Sequence, residues 1–293
     1  MMTPPGLLNL DKPPGMTSRA VVDHVQRLVR PAKAGHAGTL DPLAAGVLVV
    51  CIGKATRLIE YVQQPPKRYD ATFLLGRTSA TEDVEGEVIE LDRPPVPTIG
   101  EIESAAKRFV GEIEQRPPAF SALKVQGRRA YELARRGQEF DLAPRPVMIY
   151  SIQVLEYEYP TLRLDVRCGS GTYIRSLGRD VAESLGTGVV MSALVRTAVG
   201  SFTLDEACEL TALTQETLPS HMQPARRAVE HLPAITLTPD EIELIAHGRT
   251  IQREPHSDRS AQEFAALDDA GDLLAVLQRA REGLRPARNL VGK

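Results

Sequence analysis

The chain has 293 residues, of which 42% are hydrophobic and 25% charged, and this excludes a mainly disordered polypeptide. That length is long for one core and short for three, so one large domain plus a small one is expected. No apolar run approaches the roughly 20 residues of a membrane helix, and the opening MMTPPGLLNLDK does not read as a secretory signal.

The three cysteines, Cys51, Cys168 and Cys208, are far apart and form no CxxC, which excludes a disulfide framework and a cysteine-rich zinc site and suits a reducing cytosol. A net charge of −3 argues, taken alone, against a nucleic-acid partner. The distribution of charge along the chain points the other way. Residues 1–70 carry nine Lys+Arg against five Asp+Glu, residues 71–115 four against ten, and residues 116–146 seven against three. Two locally basic segments can bind a polyanion although the whole molecule is slightly acidic.

In chain order, Leu7–Leu10 reads as a strand that ends in the stiff turn Asp11-Lys12-Pro13-Pro14-Gly15. Ser18 can cap a helix with Val21, Val22, Val25, Leu28 and Val29 at helical spacing, stopped by Pro31. A Gly-containing loop, Lys33–Pro42, precedes the apolar strand Gly46–Ile52 and a short helix over Ala55–Val62. A strand over Tyr69–Leu75 leads into the acidic stretch Thr81–Asp92 and then the capping-box spacing Thr98-Ile99-Gly100-Glu101, whose helix Gly111 closes. Arg116–Pro146 is irregular apart from a short helix near Ala130–Arg136, and loops of that length in a compact domain are usually functional or disordered. Leu162, Leu164, Val166 and Cys168 alternate with Thr161, Arg163, Asp165 and Arg167, the period of a half-buried strand. It runs into Gly169-Ser170-Gly171-Thr172 and a helix that turns Ile174, Leu177, Val181 and Leu185 inward and ends at Gly186.

Strands and helices without regular βαβ alternation predict an α+β fold with a mostly antiparallel sheet. A break near residue 232 begins a second module with its own capping box, Thr238-Pro239-Asp240-Glu241, and a hairpin pairing Phe264–Leu267 with Leu273–Leu277. The predicted division is therefore 1–231 and 232–293.

Most catalytic motifs are missing. Gly53-Lys54-Ala55-Thr56 lacks the first glycine of a phosphate loop, GxSxG and HExxH do not occur, and the six histidines show no metal-ligand spacing. What remains is Gly35-His36-Ala37-Gly38-Thr39-Leu40-Asp41-Pro42-Leu43-Ala44-Ala45-Gly46. Asp41 has apolar neighbours that hydrate it poorly, so either it caps a turn through Pro42 or it needs a cationic partner such as an Arg.

GHAGTLDPLAAGVL resembles the catalytic motif of the bacterial tRNA pseudouridine-55 synthases, the TruB family. The resemblance extends, in family order, through LLNLDKPPGMTS, KRYDATFLLGRTSATEDVEGE, RPPAFSALKVQGRRAYELARRG, CGSGTYIRSLGRD and LVRTAVGSF, and covers nearly all of residues 6–205. It implies the pseudouridine-synthase fold, with a mixed, mostly antiparallel central sheet and a small β-rich C-terminal PUA-like module. It places Asp41 as the nucleophile, Arg175 as its paired cation and Tyr69 as the aromatic that stacks on the target base and shuttles a proton. Tyr173 and Leu194 become the apolar pocket wall, and His36 fills the space of the extruded nucleotide. Residues 116–146 become a thumb loop over the RNA hairpin, with Lys124, Arg128, Arg129, Arg135 and Arg136 as phosphate contacts.

The resemblance thus implies isomerisation of the T-loop uridine of tRNA by base flipping. It implies a cytoplasmic protein that uses no cofactor and no metal, needs no obligate protein partner or membrane, and acts as a monomer. The alternatives are a non-catalytic RNA-binding or tRNA-folding protein, against which an intact Asp41, Tyr69 and Arg175 set argues, and a synthase of the same superfamily acting on another RNA.

Overall fold

The computed structural model describes residues 4–291 apart from 122, 126, 139 and 254–259. The chain forms two compact units: Met1–Pro42, Val47–Gln64 and Phe202–Lys293 make the first, Leu43–Gly46 and Pro65–Ser201 the second.

In the first unit the strand Gly6–Lys12 is buried along almost its whole length and lies beside the Ala45–Ile52 strand. It pairs parallel with Cys208–Glu209 and antiparallel with Gln223–Pro224. The helix Ser18–Val29 turns Val21, Val22, Val25 and Val29 onto Leu8, Leu10, Leu48, Val50 and Ile52 in one apolar cluster, as the valine spacing predicts. Its cap differs from expectation. Thr17, not Ser18, occupies the N-cap and accepts from the Ala20 N–H. The expected helix over Ala55–Val62 is a 3-10 turn, Gly53–Leu58, followed by a short α-helix, Ile59–Gln63.

The C-terminal part of this unit is a four-stranded sheet. Ala234–Thr236 runs parallel to Glu263–Leu267, which continues antiparallel through Leu273–Ala280 and Gly283–Asn289. The capping box at Thr238 is formed with Pro239 at the first helical position, and the Phe264–Leu277 hairpin is in place. The Tyr61 hydroxyl donates to Glu263 at 2.8 Å, and Arg288 pairs with Glu60.

The second unit is built on an antiparallel sheet in the order Val189–Val199, Lys67–Leu75, Thr161–Cys168, Arg145–Glu158 and Gly111–Gln115. Ala45 and Gly46 add a parallel pairing to Val195 and Arg196, which makes the sheet mixed. Gly46 has φ +97°, and a Cβ there would lie 2.3 Å from the Arg196 carbonyl oxygen, so only glycine fits.

Leu162, Leu164, Val166 and Cys168 are buried as the alternation predicts. Asp165, expected on the polar face, is also buried and pairs with Arg68 at 2.7 Å. The 14-residue strand Arg145–Glu158 has no counterpart among the predicted elements and takes in the last two residues of the expected loop. Helix Ile174–Glu183 lies on the Tyr69–Phe73 face of the sheet, where a Cβ on Gly178 would stand 2.2 Å from the Phe73 ring. Among the described residues no helix is long and apolar enough to cross a membrane.

Candidate active site

Asp41 is half-buried, and the backbone on both sides of it is held by buried polar groups of the first unit. Ser18, freed from capping, donates to the Leu40 carbonyl at 3.0 Å and accepts from the Leu40 N–H at 2.8 Å. On the other side the Pro42 carbonyl accepts from the Gly15 N–H at 2.7 Å and from the Lys12 ammonium at 3.3 Å. That ammonium is fully buried and also donates to the carbonyls of Pro13 at 2.9 Å and Met16 at 2.5 Å, so its three protons meet three acceptors. The turn Asp11–Gly15 therefore serves as a bracket for the residue after Asp41. The main chain that carries the Asp41 carboxylate is thereby held on both sides. His36 sits in the short strand Ala34–His36, opposite Val50.

Tyr69, Tyr173, Arg175, Leu194 and the expected thumb belong to the second unit. Tyr69 is 9% exposed and lies between Arg196 and Val166 of the neighbouring strands, while Leu194 pairs with Ala71, two residues along. Tyr69 and Ala71 are buried on one face, as the alternating burial of Lys67–Leu75 dictates. Tyr173 is the N-cap residue of helix Ile174–Glu183. Both of its backbone groups engage the buried Gln115 amide: Tyr173 N–H donates to Oε1 at 2.8 Å, and Nε2 donates to its carbonyl at 3.0 Å. The Arg145 guanidinium lies over the Tyr173 ring, 5.0 Å from its centroid, within cation–π range.

Arg175 is 5% exposed, an expensive place for a charge unless its donors are met. They reach the Thr81 carbonyl at 2.6 Å, the Phe120 carbonyl at 3.2 Å and the Asp83 carboxylate at 3.3 Å. Asp83 is buried too and accepts from the Thr81 hydroxyl at 2.6 Å and the Glu85 N–H at 3.1 Å. The sequence marks Asp83 only as one acid in an acidic stretch.

The family description "TruB family pseudouridylate synthase (N terminal domain)" matches residues 26–174. The chain is 42% identical to the tRNA pseudouridine synthase B of Arthrobacter sp. (strain FB24) over 292 residues, 96% of this chain and 95% of the relative. This chain belongs to the TruB family of pseudouridylate synthases. The tRNA pseudouridine synthase B of Rhodopirellula baltica is also 42% identical, over 270 residues, 87% of this chain and 78% of that one. Among solved structures, the one titled "Crystal Structure of a Cbf5-Nop10-Gar1 Complex" aligns with a TM-score of 0.75 at 28% identity, covering 98% of this chain and 85% of that chain. The pseudouridine-synthase fold expected from the motifs is the fold observed.

The basic segment of this TruB-family chain contains a small hairpin, Lys124–Val125 against Arg128–Arg129, and the helix Ala130–Arg135. Arg128 and Arg129 are exposed, and the Lys124 side chain lies outside the described residues. The base of the segment is tied to helix Ile174–Glu183: Arg179 donates to the Arg116 carbonyl at 3.0 Å, as Arg175 does to that of Phe120.

The two thiols buried in the strands are disfavoured as nucleophiles. Burial pushes the Cys51 thiol up to about 12 and that of Cys168 to about 11, so both stay protonated near neutrality. Lys67 donates to the Ser170 hydroxyl at 2.6 Å, and burial, with Arg196 adding repulsion, lowers its pKa to about 8. Among the described residues no cluster of three His, Cys, Asp or Glu could hold a metal ion.

Proposed function

We propose that this protein converts the T-loop uridine of tRNA, position 55, to pseudouridine, with Asp41 as the nucleophile. The observation that carries the reading is the half-buried Asp41, which stands in the family motif between two residues whose carbonyls are held by Ser18, Gly15 and Lys12. A carboxylate suits the chemistry because it can attack sugar or base, release uracil from its glycosidic nitrogen and leave once C5 is joined to the ribose. No electrons are exchanged, and no cofactor is required.

Arg175 serves as the cationic partner of the Asp41 carboxylate, for which a forked guanidinium can supply two-point bonding. Tyr69 stacks on the flipped base and moves the proton, Tyr173 and Leu194 wall the pocket, and His36 fills the vacated stack. Lys124, Arg128 and Arg129 grip phosphates and offset the few kcal/mol that flipping costs. The C-terminal sheet serves as a PUA-like module on the tRNA, and the protein works as a cytoplasmic monomer.

The curated relatives at 42% identity carry the name tRNA pseudouridine synthase B, against 28% for the Cbf5 complex, and this favours tRNA over another RNA. The test is to map pseudouridine in a tRNA transcript incubated with wild-type protein and with Asp41→Asn. Wild type is expected to modify one T-loop uridine. The variant should show no turnover while binding tRNA within about tenfold of wild type, because the nucleophile contributes chemistry more than affinity. Residual turnover comparable to wild type would refute the role of Asp41.

A further inference from the structure

Three consecutive residues, Thr81, Glu82 and Asp83, are gripped by three residues of one helix, Arg175, Ser176 and Arg179. Thr81 and Asp83 receive Arg175. Glu82, between them, reaches the same helix at the next residue and one turn further on: its carboxylate accepts from the Ser176 hydroxyl at 2.8 Å and pairs with Arg179. Glu82 has φ +63°, a left-handed conformation that a non-glycine residue adopts at a cost. The side-chain bonds offset that cost and fix the turn that aims the Thr81 carbonyl.

A second set of bonds holds the turn to the sheet, from the Met191 N–H to the Glu82 carbonyl at 3.0 Å and from the Val84 N–H to the Met191 carbonyl at 3.1 Å. The backbone thus ties the turn to the strand, while the Glu82 carboxylate ties it, independently of Arg175, to the helix that carries Arg175. Arg179 has a further duty. It neutralises a carboxylate that lies within electrostatic reach of Arg175 and would otherwise compete for it.

We propose that Glu82 and Arg179 act as one positioning pair for Arg175, setting the register between helix Ile174–Glu183 and the Thr81–Asp83 turn so that the guanidinium stays available to Asp41. The pair touches no reacting atom in this scheme. Burial raises the Glu82 pKa, with Arg179 and Ser176 opposing that shift, as expected of a carboxylate retained for its partners. The inference rests on the assignment of Arg175 as the partner of Asp41.

The test compares Glu82→Gly, Arg179→Gln and the double variant with wild type and Arg175→Lys on a T-arm RNA, each folded by circular dichroism. Glycine takes the left-handed backbone freely, so Glu82→Gly removes the carboxylate without adding strain. Each single variant is expected to lose about tenfold in kcat with KM within twofold, and the double to be no slower than the worse single, because a shared function is lost once. Should Arg179→Gln fail to fold, Glu82→Gly decides alone. Single variants within twofold of wild-type kcat, a loss in KM instead, or a double variant that multiplies the two losses would each overturn the pair. A fast Arg175→Lys would remove the assignment of Arg175 and this inference with it. A slow Arg175→Lys beside fast Glu82 and Arg179 variants would overturn this inference alone.

Discussion

Ser18→Ala tests whether the main chain around Asp41 is held for catalysis. Ser18 is 2% exposed and Leu40 4%, so deleting the hydroxyl strands the Leu40 N–H in a dry interior. A buried donor left unpaired costs about 1–3 kcal/mol. Neighbouring Thr17 supplies a matched control, since Thr17→Ala removes the N-cap of the same helix at about 1 kcal/mol without touching the Asp41 loop. Displacing a reacting group by about 1 Å can cost on the order of a hundredfold in rate. With the Pro42 side still held by Gly15 and Lys12, Ser18→Ala should lose about tenfold in kcat at unchanged KM. Urea unfolding gives the stability of both variants, and single-turnover pseudouridine formation on saturating T-arm RNA gives the rate. Both should be destabilised by similar amounts, and only Ser18→Ala should be slow. Equal slowing in the two, or full speed in Ser18→Ala, would refute the bracket as a catalytic device.

Gly178→Ala drives a methyl into the Phe73 ring and should cost about 1–3 kcal/mol in urea unfolding, with Phe73→Leu in the same chain restoring part of it. Replacing Lys124, Arg128 and Arg129 together by Ala should weaken tRNA binding and flatten the logarithmic salt dependence of affinity by about 2–3 units, at roughly 0.7 to 0.9 per phosphate. Under the proposed function the modified uridine should not change, because there the thumb contacts supply affinity rather than base choice. An unchanged salt slope would return residues 116–146 to an ordinary surface loop.

Legibility in the sequence followed how each element stays in place. The helix Ser18–Val29 and the strand Thr161–Cys168 bury one regular face, so the period of their apolar residues announces them. Both capping boxes are local and could be read from four residues. Arg145–Glu158 could not, because its pairing to two neighbours carries it while Met148, Tyr150 and Leu155 stay exposed and break the alternation. Asp165 misled for a related reason: a carboxylate in a strand reads as outward, yet a cross-strand Arg68 lets it be buried.

The site divides along the same line. Asp41, Tyr69 and Arg175 stand in motifs that identify the family, and those side chains are legible because chemistry restricts which residue can serve. Ser18, Lys12, Gln115 and Asp83 hold main chain or a charge through bonds to residues 22, 30, 58 and 92 positions away. A hydroxyl beside a helix start reads as a cap, a lysine beside prolines as a surface turn, and an acid among acids as solvated. Asp83 meets the Arg175 side chain, and the partners of the other three are backbone carbonyls and amides, which every residue possesses and which therefore leave no signature in composition or spacing. The residues of the family motifs are written in the sequence by type, whereas the residues that hold their main chain or charge are defined only by what the fold brings within about 3 Å.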